Sequence, residues 1–171
     1  AMSFGLAGVI ASACVVNNYI DRDIDKHMSR TKKRALVTGD ISVLSALVFA
    51  GFLGISGLGL LLWFTTPITA LVAAFGFVAY VVLYGYFKRT SVHGTLVGTI
   101  SGATPPVIGY TAVVGRIDAA AILLFLILVL WQMPHFLSLA WLFREEYERA
   151  GFPVLPVVEP TGKSTARQTV M

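Results

Sequence analysis

Residues 41–87, ISVLSALVFAGFLGISGLGLLLWFTTPITALVAAFGFVAYVVLYGYF, contain no Asp, Glu, Lys or Arg. One helical bilayer crossing takes about 20 apolar residues, so this run is long enough for two crossings with a turn between them. Trp63-Phe64-Thr65-Thr66-Pro67 supplies the turn, with interfacial aromatics followed by a proline that breaks a helix. Outward from this segment, residues 1–20, 90–115 and 119–143 also lack charged side chains. The pattern predicts an all-α, polytopic transmembrane bundle in a lipid bilayer, with five helices near residues 2–20, 41–63, 68–88, 92–114 and 119–147. A transmembrane β-barrel would need segments of about ten residues that alternate polar and apolar, and these are absent.

The composition agrees with that reading. Of 171 residues, 56% are hydrophobic and 13% charged, about half the charged share of a typical soluble domain. The basic residues then orient the helices. Six follow the first helix (Arg22, Lys26, Arg30, Lys32, Lys33, Arg34), two follow the third (Lys88, Arg89) and four follow the fifth (Arg144, Arg149, Lys163, Arg167). With alternating helices these lie on one side, and Arg116 alone lies on the other. The positive-inside rule makes the basic side cytoplasmic, or matrix-facing in an organelle. The net charge of +4 therefore follows from topology, and no motif in the chain points to nucleic acid. A lone cysteine, Cys14, excludes an intramolecular disulfide and is expected to be a small buried residue.

The chemistry concentrates where the first helix meets the basic side, in NNYIDRDID. Asn17, Asp21 and Asp25 stand four residues apart, so on a helix they share one face and rise about 6 Å per step. Like charges one turn apart repel unless a cation lies between them. Carboxylate and amide oxygens are the donors that Mg²⁺ takes, with its shell completed by water and substrate phosphate. Asp23 falls about 200° away and reads as a partner of nearby lysines. Glu145, Glu146 and Glu148 leave the fifth helix on the same side, where they face the ladder across a cavity or pair with the basic loop.

Four segments in order, NNYIDRDIDKHMSRTKKRALVTGDIS, YFKRTSVHGTLVGTISGATPPVIGY, LWQMPHF and FREEYERAGFPVLPVV, resemble the UbiA-type intramembrane prenyltransferases, and in particular their heme-farnesylating branch. The resemblance implies that Asn17, Asp21 and Asp25 bind Mg²⁺ and the diphosphate of farnesyl diphosphate. It maps the second acidic motif to Glu146 and Tyr147, with Glu146 a further metal ligand and Asp21, Asp25, Glu146 and Tyr147 the catalytic set. Where that motif usually has another aspartate, this chain has Ala150. Arg22, Arg30, Lys33 and Arg34, directly after the ladder, are candidate diphosphate ligands, and Lys88 and Arg89 are a second clamp. The arginines suit bidentate phosphate contact.

The same resemblance makes protoheme IX the acceptor and heme O the product, with His135 and His93 as candidate heme contacts and a heme A synthase or oxidase assembly factor as a partner. It places the protein in a bacterial inner membrane or its mitochondrial counterpart. Family members are nine-helix bundles, so the chain is expected to be a fragment lacking the first helix and the last three, or else a split subunit. Two rival functions remain at this stage: a relative that prenylates an aromatic quinone precursor, and a membrane transporter.

Overall fold

The computed structural model describes residues 1–170, and they form helices joined by short loops. In chain order these are α1 (Met2–Asp25), α2 (Ala35–Thr38), α3 (Val43–Phe64), α4 (Pro67–Val78), a π-helical turn (Ala79–Tyr84), α5 (Gly85–Thr90), α6 (Gly94–Gly102), α7 (Thr104–Val114), α8 (Ala119–Leu142), α9 (Arg144–Arg149), α10 (Leu155–Val158) and α11 (Lys163–Val170). No strand occurs among the described residues. Four helical stretches are long and apolar enough to cross a membrane: α1, α3, the α4–π–α5 rod over Pro67–Thr90, and α8.

The break between the second and third expected helices falls where the sequence puts it. Thr66 caps α4 through its hydroxyl, which accepts from the Thr69 N–H at 3.4 Å, and Pro67 occupies the first turn, where a missing N–H costs nothing. The fourth expected helix, 92–114, is instead two helices of 9 and 11 residues that meet at Ala103. Pro105 and Pro106 lie in the first turn of α7, and their missing donors and ring bulk end the helix before them. The fifth is also shorter than expected, closing at Leu142 before a turn at Phe143 and a separate α9. The first runs further, through Asp25, so the whole acidic ladder is helical.

Helices α1 and α3 pack along their length because small residues let the backbones touch. A Cβ added at Gly57 would meet the Gly5 carbonyl oxygen at 2.7 Å and the Val9 nitrogen at 2.8 Å. The Ser12 hydroxyl donates across the same seam to the Ala50 carbonyl at 2.7 Å. On the other flank, Thr69 donates to the Thr111 hydroxyl at 3.2 Å, joining α4 to α7. Apolar helices gain little from burial in lipid, and close contact with interhelical hydrogen bonds supplies the association. Val9, Leu61, Ala70, Ala73 and Ile108 form the apolar centre, while Phe4, Phe52, Ile55 and Trp63 project outward as a lipid-facing surface. Cys14, expected inside, is exposed and lines an internal cavity.

Asp118 anchors the turn opposite the acidic ladder. Its carboxylate caps α8 by accepting from the Ala120 and Ala121 N–H groups, and Tyr110 donates its hydroxyl to both carboxylate oxygens at 2.9 Å. The Tyr110 hydrogen bond, helped by the backbone donors and Arg116, holds the carboxyl below its usual value.

Two outcomes follow from this packing. Gly57→Val should destabilise the bundle by about 1–3 kcal/mol, the usual effect of overfilling a close contact, whereas Gly51→Ala, which meets open space, should be neutral or stabilising in the same detergent unfolding assay. For Asp118 the folded value is depressed, so its contribution is complete above the unfolded value near ~4 and disappears as pH falls through the folded one. The difference in Tm between the wild type and Asp118→Ala should therefore be constant from pH 7 to 5 and shrink below pH 4.

Candidate functional site

One cavity of about 570 Å³ runs between α1, the α4–π–α5 rod, α6 and the start of α7, a volume within the usual range for small-molecule sites. Its two ends differ in chemistry. Asn17, Asp21, Asp25, Arg30, Arg34 and Lys88 line one end, and Leu6, Val9, Ala73, Phe77 and Ile108 line the other. Tyr80 and Tyr84 lie along its wall, with Ser101 and Thr104 from the facing helices.

The polar end is built by α1. The four-residue spacing turns Asn17, Asp21 and Asp25 inward, where they are 7%, 6% and 4% exposed. Burying two carboxylates this far is tenable only with cations in direct contact. Lys88 reaches from α5 to donate to Asp21 Oδ2 and, at 2.6 Å, to Asn17 Oδ1. Arg89 donates to Asp21 Oδ1 at 2.6 Å and to the Ile20 carbonyl at 2.7 Å. The Asn17 amide donates to Asp21 Oδ2 at 2.9 Å and closes the group. Arg34 pairs with Asp25 Oδ2 at 2.6 Å, and the Thr31 hydroxyl donates to the Asp25 carbonyl at 3.1 Å, folding the basic loop back over the ladder.

The other expected site residues divide. Arg30 and Tyr147 line the cavity, and Tyr147 is held edge-on against Phe152. Glu146 lies outside the cavity lining, its Oε1 accepting from the Ser29 hydroxyl while Oε2 is buried with no partner. Arg22 stacks over Tyr19 with its guanidinium carbon 5.0 Å from the ring centroid, and Lys33 is exposed. Asp23, as its position around the helix predicts, is a surface partner of Lys26 at 2.9 Å.

Neither histidine lines the cavity. His93 is exposed at the entry to α6, and His135 is exposed and stacked on Trp131 with ring centroids 5.3 Å apart. The polar side chain of WQMPH that turns inward is Gln132, at 5% exposure; its amide donates to the Leu128 carbonyl at 3.1 Å and packs against Gly102. Gly102 has no Cβ to block that approach, which is why 132 and not 135 is the buried polar position.

Among the described residues no three His, Cys, Asp or Glu side chains converge as a metal-holding group. The donors that do converge are oxygens of Asn17, Asp21 and Asp25, the type a hard divalent cation takes when substrate phosphates complete its shell. This donor set, lining one end of the cavity, fits a divalent cation.

An end rich in carboxylates and cations, joined to an apolar channel, is the arrangement a diphosphate with a hydrocarbon tail requires. A family model described as "UbiA prenyltransferase family" matches residues 1–171. The chain belongs to this family. UbiA relatives among curated proteins include "Protoheme IX farnesyltransferase 2" of Pseudomonas paraeruginosa, 55% identical over 90% of this chain and 52% of that protein. The protein of the same name from Shewanella loihica is 53% identical over 94% of the chain and 52% of the relative. "Protoheme IX farnesyltransferase" of Aeromonas salmonicida is 53% identical over 91% of the chain and 53% of the relative. The chain thus spans about half the length of these UbiA relatives. No solved structure matches it.

Tyr80 and Tyr84 are the cavity residues that motif reading misses. Two tyrosines four apart in an apolar span share a helical face, but that pattern alone is a weak signal for a cavity wall.

The Asp21–Lys88 pair should show up as coupling. Lys88→Met leaves a buried carboxylate with Arg89 as its remaining cation and should lower the unfolding midpoint. In a double-mutant cycle with Asp21→Asn the interaction energy should be on the order of 1–3 kcal/mol, and additive single effects would contradict the geometry.

Proposed function

We propose that the protein is an intramembrane prenyltransferase that moves a farnesyl group from farnesyl diphosphate to a vinyl group of protoheme IX, forming heme O. The observation that carries the reading is the two-ended cavity, with Asn17, Asp21, Asp25 and four neighbouring cations at one end and an apolar channel at the other. Family membership and the names of the relatives support the same donor and acceptor.

The residues act mainly by charge. Lys88, Arg89 and Arg34 already reach into the polar end, where they would hold diphosphate oxygens, Arg34 and Arg89 with planar guanidinium groups suited to paired contacts. Arg30 faces the same space. A divalent cation of the magnesium type bound at Asn17, Asp21 and Asp25 would supply Lewis-acid neutralisation of the leaving diphosphate. Lys88 and Arg89 occupy the oxygens of Asn17 and Asp21 in this structure, so metal binding there would exchange those contacts for ones from the same cations to phosphate. Tyr147 borders the cavity where it can orient a phosphate oxygen.

When the allylic C–O bond breaks, its electron pair leaves with the diphosphate. The farnesyl carbon then bonds to the terminal vinyl carbon, and water adds to the adjacent carbon with loss of a proton, giving a hydroxyethylfarnesyl side chain. The apolar walls from α1, α4 and α7 keep water from the cation until the acceptor reacts. In this reading the polar end and the basic loops face the cytoplasm from a bacterial inner membrane, and the product passes to the enzyme that oxidises heme O further.

Purified protein given farnesyl diphosphate, magnesium and heme should yield prenylated heme by mass spectrometry, and none of a prenylated hydroxybenzoate. The reverse result would make the acceptor a quinone precursor. Asp21→Ala should reduce turnover by about 100-fold or more with membrane insertion unchanged, and full activity in that variant would remove the ladder from the mechanism.

A further inference from the structure

The apolar end of the cavity is closed by the residues that form the packed centre of the bundle. Leu6 and Val9 of α1, Ala73 and Phe77 of α4 and Ile108 of α7 line the cavity, and all belong to, or pack against, the apolar cluster that contains Leu61. Among the described residues, none before Leu6 on α1, before Ala73 on α4 or after Ile108 on α7 reaches the cavity. One helical turn further on, the Thr69 hydroxyl donates to Thr111, which donates in turn to the Val107 carbonyl at 2.9 Å. Both threonines are fully buried, so α4 and α7 are tied together directly behind the closed end.

Length then decides what fits. Helix α1 is continuous from Met2 to Asp25, and at about 1.5 Å per residue its wall from Asn17, the innermost residue of the ladder, to Leu6 is about 16 Å long. An extended chain advances about 1.2 Å per bond, so an isoprene unit, with its four chain bonds, spans about 5 Å. Three units from a diphosphate held at the ladder take about 15 Å and reach Leu6, whereas four need about 20 Å and would run into the packed cluster. A close-packed floor backed by interhelical hydrogen bonds yields little to a longer chain.

We propose that Leu6 and Ile108 are specificity-determining residues that close the channel three isoprene units from the diphosphate, and so select a 15-carbon donor over shorter and longer ones. This rests on the prenyl diphosphate reading above and adds which residues measure the tail. A 10-carbon tail leaves the closed end unfilled and forfeits the apolar contact of the last unit. A 20-carbon tail must either displace the cluster or draw the diphosphate away from its cations. Leu6 and Ile108 lie at the end opposite the ladder, so their effect falls on which donor binds and not on bond breaking.

The test uses the purified protein in lipid nanodiscs and non-reacting thiolodiphosphates with 10-, 15- and 20-carbon prenyl tails, so that binding is read without turnover or acceptor. Wild type should bind the 15-carbon analogue about 10-fold or more tightly than either of the others. Ile108→Ala should bring the 20-carbon analogue to within about threefold of the 15-carbon one. Leu6→Trp should reverse the other preference, so that the 10-carbon analogue binds about 10-fold more tightly than the 15-carbon one. Leu6→Ala, at a half-buried position, should lengthen the channel in the same sense and decides the matter even where Ile108→Ala does not fold. Equal affinity of the wild type for 15 and 20 carbons, the result for a tail that leaves sideways into the bilayer, would overturn the proposal. An order of preference unchanged in the variants would do the same, and both results leave the prenyl diphosphate reading in place. Failure of the wild type to bind any of the three analogues would overturn both.

Discussion

Asp21 is a carboxylate with 6% of its surface exposed, inside a helix bundle whose outer face is apolar. An isolated charge so placed would cost several kcal/mol or would neutralise itself by taking a proton. Lys88 and Arg89 remove that penalty by bonding one carboxylate oxygen each. The consequence reaches beyond the pair, because Asp21 is on α1 and its two cations are on α5. Their contact fixes how the rod from Pro67 to Thr90 stands against α1, and the space left between them is the cavity.

The rest of the bundle is arranged so that this polar contact is affordable. Gly5, Ser12, Gly54 and Gly57 let α1 and α3 approach until backbone meets backbone, and threonines at 69 and 111 bridge α4 to α7. Those contacts lie on the interior side, whereas the large side chains of α3 and α8 face outward. A bilayer solvent inverts the usual division of labour: bulky apolar residues meet lipid, and small and polar residues pack the interior. The cavity is then bounded by helices whose positions do not depend on filling it.

Legibility differed sharply between elements, for physical reasons. The ladder was readable because a spacing of four on a helix carries its own geometry, and α1 is regular through Asp25. Pro105 and Pro106 stand inside the span expected at 92–114, and whether prolines kink a helix or divide it depends on what satisfies the freed carbonyls. The structure divides it at Ala103. In WQMPH both Gln132 and His135 are polar and lie about 60° apart around the helix, so either could have faced inward. The absence of a side chain at Gly102 on α6 admits Gln132, and a residue on another helix cannot be weighed from the local pattern. The π-helical turn has no compositional signature at all, since AYVVLY is an ordinary apolar stretch.

The sequence by itself determined the solvent of this protein, its helical class and the shared helical face of Asn17, Asp21 and Asp25. Each of these depends on composition or on the period of one helix. Only the tertiary structure decided that Asp21 is held by Lys88 and Arg89, that Asp25 is held by Arg34, that Glu146 stands apart on Ser29, and that two tyrosines wall the cavity while both histidines lie outside it. Those outcomes are contacts between segments as far as 117 residues apart, where the decisive quantity is which side chains lose water together, and that is a property of the packed bundle.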